Sequence, residues 1–378
     1  MDFTLSDERR MLKETADRYL ADTYTIDTRH AAAAMEGGYD PEQWAQMADL
    51  GLVGALLPAD IGGYGGTGED IALIFESLGR ALVVEPFLAT GILGAAPILM
   101  AGSDAQKAML VEPMIEGHTT LAFAHGEPAS RYALTHVETR AEETGNGWHL
   151  TGSKAVVVNG ATADHLIVTA RISGDAKDAD GIGLFLVARD APGLSIRSYG
   201  TVEGGHACDI TFDTTHADAI GTPDEAAPVI EATIARALLA LCAEAVGIME
   251  VCKEMTLDYL KTRTQFGRPI GTFQVIQHRM VDLVLEIEQA RSAVMLAAAH
   301  LDGPRIERER TASAAKNLIG RVGRLVAEES IQLHGGIAMT WDYALPHYAK
   351  RLVMIDHLFG DTDHHLARFR QVSGEQAA

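Results

Sequence analysis

The stretch from Ala227 to Thr262 constrains this chain more than any other. It is rich in alanine and apolar on more than one face, which predicts a helix surrounded by other helices rather than lying on a surface. Such a helix needs neighbours of comparable length. Two runs with helical periodicity follow, Phe273–His300 and Arg305–His334, so the last third of the chain is predicted to be a helical bundle.

Upstream the pattern is also helical, from Leu5 to about Gly117. Leu5, Met11, Leu12, Ala16, Tyr19 and Leu20 share one face, with Ser6 as the expected N-cap. The glycine run Ile61-Gly62-Gly63-Tyr64-Gly65-Gly66 has no preceding strand and no closing Gly-Lys-Ser/Thr, so it reads as a helix–helix loop and not a phosphate loop. Between the helical stretches the period drops to two. Thr120–Ala124, Trp148–Thr151, Ala155–Val158, Leu166–Val168, Leu184–Val187 and Ile210–Phe212 are short β-prone runs, and Gly145-Asn146-Gly147 is a hairpin signal. The expected fold is mostly α with an inserted β-domain: an N-terminal helical domain over 1–117, a small β-barrel or sandwich over 118–222, and a helical bundle over 223–378.

Composition narrows the function. A net charge of −21 over 378 residues excludes a nucleic-acid binder, which needs a concentrated basic face. A CoA-type ligand remains compatible, because its few phosphates need only a local cluster of donors. Cys208, Cys242 and Cys252 show no paired spacing, and Cys242 and Cys252, in an apolar helical run, read as small core residues of a reducing compartment. The first residues lack the basic start and apolar run of a signal peptide. No uninterrupted apolar stretch reaches the roughly 18 residues of a membrane span. The expectation is a soluble, cytoplasmic protein with no membrane partner. His357, His364 and His365 have no carboxylate or cysteine at a ligand spacing, so no metal site is expected.

Two segments carry chemistry: Arg263-Thr264-Gln265-Phe266-Gly267, running on to Gln274, and Gln332-Leu333-His334-Gly335-Gly336. Both resemble flavin-binding segments of the acyl-CoA dehydrogenases, and the helix–β–helix order is similar to that family over essentially the whole chain. The resemblance implies an acyl-CoA substrate, FAD at a subunit interface, and an electron-accepting flavoprotein partner. A base would remove the α-proton while the β-hydrogen leaves as hydride. It further implies that Arg263 reaches the FAD pyrophosphate and Phe266 packs beside it. Gln274 would contact the adenosine side, and Gln332, Gly335 and Gly336 would admit the dinucleotide to the backbone. A guanidinium suits a pyrophosphate through its fixed fork of donors.

The ring-facing half departs from the family pattern. Relatives read Tyr-x-x-Thr-Glu-Pro where this chain has Phe123-Ala124-His125-Gly126-Glu127-Pro128. They read Trp-Ile-Thr-Asn-Gly where it has Val156-Val157-Val158-Asn159-Gly160. The catalytic glutamate of most relatives falls at Gly360, and that of a minority branch at about Ala237. Asp361 is the nearest carboxylate and the one candidate catalytic residue; its alternative reading is the N-cap of the final helix. Glu244 on the long helix is placed as a structural contact.

In the family one chain supplies the ring pocket and base, and its neighbour supplies the segments around the ADP half. The resemblance therefore points to a non-catalytic partner subunit, paired with a paralogous catalytic chain in an α2β2 heterotetramer. Such two-subunit dehydrogenases often act on bulky CoA thioesters, sterol side-chain intermediates among them. A self-sufficient homo-oligomer using Asp361, and an acyl-CoA-binding scaffold protein, stand as alternatives.

Overall fold

A computed structural model describes residues 5–375. Among these, six α-helices come first: α1 (Asp7–Thr23), α2 (Ile26–Ala34), α3 (Pro41–Asp49), α4 (Gly68–Ala81), α5 (Ala95–Ala101) and α6 (Asp104–Ile115), with a wider π-type turn at Phe87–Gly94. Seven strands follow: β1 (Leu121–Ala124), β2 (Arg140–Thr144), β3 (Gly147–Val158), β4 (His165–Arg171), β5 (Ile182–Ala188), β6 (Leu194–Gly200) and β7 (His206–Ile220). The chain closes with α7 (Ala227–Thr262), the short pair β8 (Thr264–Gln265) and β9 (Arg268–Pro269), then α8 (Gln274–His300), α9 (Arg305–His334), α10 (Leu345–His357) and α11 (Thr362–Glu375). Helices, an inserted β-domain and helices again is the architecture the sequence predicts.

Contacts group these elements into two compact units. The first joins the described parts of Met1–Arg29, Thr67–Val83 and Leu238–Ala378; the second joins His30–Gly66 and Val84–Ala237. In the first, α4 lies against the long helix α7 through two glycines. A Cβ at Gly79 would lie 2.1 Å from the Glu244 carbonyl oxygen, and one at Gly247 2.1 Å from that of Glu76. Helix backbones approach this closely only where side chains are absent. The first N-cap is as the sequence reads it: the Ser6 hydroxyl accepts from the Arg9 N–H at 3.3 Å. Thr67 and Asp70 form a reciprocal capping box at the start of α4. The α7 helix is the one described helix long and apolar enough to cross a membrane, and its apolar window is 89% buried, which marks it as a core helix.

In the second unit β4, β2, β3, β7 and β5 close on themselves, because β5 pairs with both β7 and β4, while β2 reaches β4 through Arg140 and Arg171. The result is a small barrel with β1 and β6 appended, filled by Leu150, Leu166, Val168, Phe185, Val187, Ile210 and Phe212. The two runs expected at 148–151 and 155–158 are one strand, β3, whose register against β7 shifts between Lys154 and Val157. The extra residue falls at Ala155–Val156, just before Val157 and Val158.

Candidate functional site

The two motif segments sit at the ends of α7 and α9 in the first unit. The Arg263 N–H donates to the Tyr259 carbonyl at 2.8 Å and the Ile270 N–H to the Arg263 carbonyl at 2.9 Å, which ties the segment off as a loop. Inside it, β8 and β9 form a hairpin whose turn is Phe266-Gly267, with φ of +51° and +76°. Glycine adopts that conformation freely; phenylalanine does so under strain. The strained turn holds the Phe266 ring 90% exposed, in edge contact with Phe273 at 6.1 Å. An aromatic ring held out this way is suited to being covered by a second surface.

Arg263, Gln274 and Gln332 are all exposed, and the Arg263 guanidinium forms no ion pair among the described residues. A Cβ at Gly335 or Gly336 would meet nothing within 4 Å. Gly335 has a positive φ of +71° that ends α9, so its backbone alone explains the residue. Gly336 has neither a positive φ nor a neighbour to avoid, and its backbone is open to an approaching molecule.

In the second unit the Phe123–Pro128 segment turns its polar groups inward. His125 Nδ1 lies 3.0 Å from Thr169 Oγ1, with its ring stacked on Phe123 at 5.5 Å. The Lys154 ammonium donates to Glu127 Oε1 at 2.7 Å, to Thr169 Oγ1 at 3.1 Å and to the His125 carbonyl at 3.1 Å. Glu127 also accepts the N–H groups of Glu138 and Thr139. Burial pushes His125 down to about 3 and Lys154 down to about 8 despite its carboxylate partner. Val156 has a φ of +55°, rare for a β-branched residue, and its N–H donates to Asp209 Oδ1 at 3.2 Å. The side chains at Gly126, Val156 and Val158 are aliphatic or absent, so none can donate a hydrogen bond to a flavin ring.

The turn around Gly360 is tightly held. Gly360 has a φ of +118°, and a Cβ there would lie 2.5 Å from His365 Nε2 and 2.6 Å from His364 Cδ2. Lys316, buried on α9, donates to the Gly360 carbonyl at 2.6 Å and the Asp356 carbonyl at 2.9 Å. His365 Nε2 is 3.1 Å from the Phe359 carbonyl. Burial, reinforced by the Lys316 charge, holds His365 at about 3. Asp361 Oδ1 accepts the His364 N–H at 2.9 Å, the geometry of an N-cap on α11. Ala237 is fully buried, and Glu244 is engaged bidentately by Arg351 at 2.6 and 2.8 Å. Lys316 and His365, which hold this loop, are not legible as partners from spacing alone.

Three family models cover most of the chain: the acyl-CoA dehydrogenase N-terminal domain over residues 6–118, the middle domain over 122–215 and the C-terminal domain over 227–371. The chain belongs to the acyl-CoA dehydrogenase family. Acyl-CoA dehydrogenase IpdE2 of Mycobacterium tuberculosis is 33% identical to it, over 92% of each chain. The probable acyl-CoA dehydrogenase YngJ of Bacillus subtilis is 29% identical, over 91% of this chain and 92% of its own. Among solved structures, a Tcur3481-Tcur3483 steroid ACAD variant superposes with a TM-score of 0.89 at 31% identity, covering 99% of both chains. In this member of the family the Arg263–Gly267 turn is exposed and has positive φ at Phe266 and Gly267, and the Gln332, Gly335 and Gly336 positions are exposed. Residue 360 is a glycine, and a Cβ there would lie within 3 Å of the His364 and His365 rings.

Proposed function

We propose that this chain is a subunit of a flavin-dependent acyl-CoA dehydrogenase that completes the FAD site of a paralogous catalytic chain and does not itself remove the substrate proton. The observation that carries the reading is Gly360: where the resemblance places the catalytic glutamate this chain has no carboxylate, and a Cβ there would lie 2.5 Å from His365 Nε2. The two halves of the chain's motif set differ in the same sense. The segments around the ADP half fit a dinucleotide, with an exposed guanidinium at Arg263 and open backbone at Gly335 and Gly336. The ring-facing half supplies no side-chain donor at Gly126, Val156 or Val158.

When bound, FAD supplies the hydride acceptor for α,β-dehydrogenation of a CoA thioester. The residues of this chain bind and orient: Arg263 would hold the pyrophosphate, Phe266 would pack beside it, Gln274 would reach the adenosine side, and Gln332, Gly335 and Gly336 would admit the dinucleotide to the backbone. The catalytic partner would supply the carboxylate that takes the α-proton, since a base must sit within reach of that carbon. The 31% identity to a structure named for Tcur3481-Tcur3483 and as a steroid ACAD supports pairing with a second, paralogous chain, which the reading takes as an α2β2 assembly, and a bulky, steroid-like CoA thioester. An electron-transferring flavoprotein would reoxidise the assembly.

Expression of the chain with and without its paralogue tests the reading by absorbance. A flavin band that copurifies only with the pair supports it. Stoichiometric flavin on the lone chain, bleached by an acyl-CoA, overturns it.

A further inference from the structure

The Gln332–Gly336 segment contains one polar side chain that turns inward, His334, and it lies beside the other motif segment. The His334 ring is stacked on Tyr259 with centroids 4.5 Å apart and planes 26° apart, and it is tilted against Tyr343 at 5.5 Å. Its Nδ1 donates to the Ser330 carbonyl one turn back along α9, at 2.8 Å, which fixes the orientation of the ring. The residue is 4% exposed. Tyr259 is in turn the residue whose carbonyl receives the Arg263 N–H at 2.8 Å. A chain of contacts therefore runs from the loop bearing Arg263, through Tyr259, into the ring of His334, and out to Gly335.

We infer that His334 is a positioning residue: by stacking on Tyr259 it fixes the Arg263 loop and the Gln332–Gly336 turn as a single edge of the FAD site. This rests on the reading that the chain contributes that edge. The two segments are far apart in sequence, and a Cβ at Gly335 or Gly336 would touch nothing, so the turn gains no hold from its own glycines. The inward ring beside them supplies it.

The test uses the assembly formed with the paralogous chain and reads its FAD dissociation constant alongside its melting temperature. His334→Ala removes the stack, His334→Phe keeps an aromatic ring without the Ser330 hydrogen bond, and Arg263→Ala is the control on the donated edge. Loss of the stack lowers the population of the binding-competent edge, so His334→Ala weakens FAD binding by about three- to tenfold. His334→Phe restores the affinity. Unchanged affinity in His334→Ala, with affinity lost in Arg263→Ala, overturns the positioning role alone, whatever happens to the melting temperature. Unchanged affinity in both overturns the donated edge and the inference with it. Should His334→Ala fail to fold, His334→Phe decides: affinity close to the parent supports the stack, and weakened affinity overturns it.

Discussion

The His365 ring occupies the space where a side chain on Gly360 would begin, with Nε2 2.5 Å from the position of a Cβ. A side chain introduced at Gly360 would therefore have to displace that ring. Gly360→Glu would force a residue with a side chain into a φ of +118° and against a buried ring. We expect a stability loss of about 2 kcal/mol or more, read by urea denaturation, and no acyl-CoA-dependent flavin bleaching by the lone chain. Bleaching by this variant at parental stability would show that the loop can open to accept a base.

Asp361 separates a cap from a base. Its carboxylate accepts the His364 N–H, a bond that asparagine can also accept. Asp361→Asn should leave stability and turnover of the assembly unchanged, whereas Asp361→Ala should cost about 1 kcal/mol through the lost cap. Abolished bleaching in Asp361→Asn would instead make Asp361 the proton acceptor.

Arg263 should matter to the cofactor and not to the fold. Its guanidinium forms no ion pair among the described residues, so Arg263→Ala should leave the melting temperature of the chain unchanged. In the assembly the loss of hydrogen bonds to a charged group should weaken FAD binding by about 2 kcal/mol, read by fluorescence titration. Unaltered affinity would remove Arg263 from the site.

Much of this is legible in the sequence, for physical reasons. The bounds of α7 follow from a long alanine-rich run apolar on more than one face, those of α9 from helical periodicity, and the N-cap at Ser6 from its side-chain chemistry. Strands β2 and β6 are not legible: Arg140–Thr144 and Leu194–Gly200 are mostly exposed, so little apolar alternation marks them. The π-type turn at Phe87–Gly94 is buried all round, and no period can show in a segment with no polar face. At the site, the motif residues Arg263, Phe266 and Gln332 are visible as a resemblance. The closure of Gly360 is not, because it depends on the positive φ values of Phe359 and Gly360 that bring the chain back under His365.

Acid should unfold the chain through its buried histidines. Burial lowers His365 and His125 from the ordinary 6.5 to about 3. Between those values the unfolded chain binds protons that the folded chain refuses, so stability is full above about pH 6.5 and is lost as pH falls toward 3. Each histidine adds a slope approaching about 1.4 kcal/mol per pH unit inside that window. His365→Gln should flatten the dependence by roughly one proton's worth in urea denaturation at pH values of about 7, 6 and 5. An unchanged slope in that variant would show that His365 takes up its proton without unfolding the loop that Lys316 and Gly360 hold.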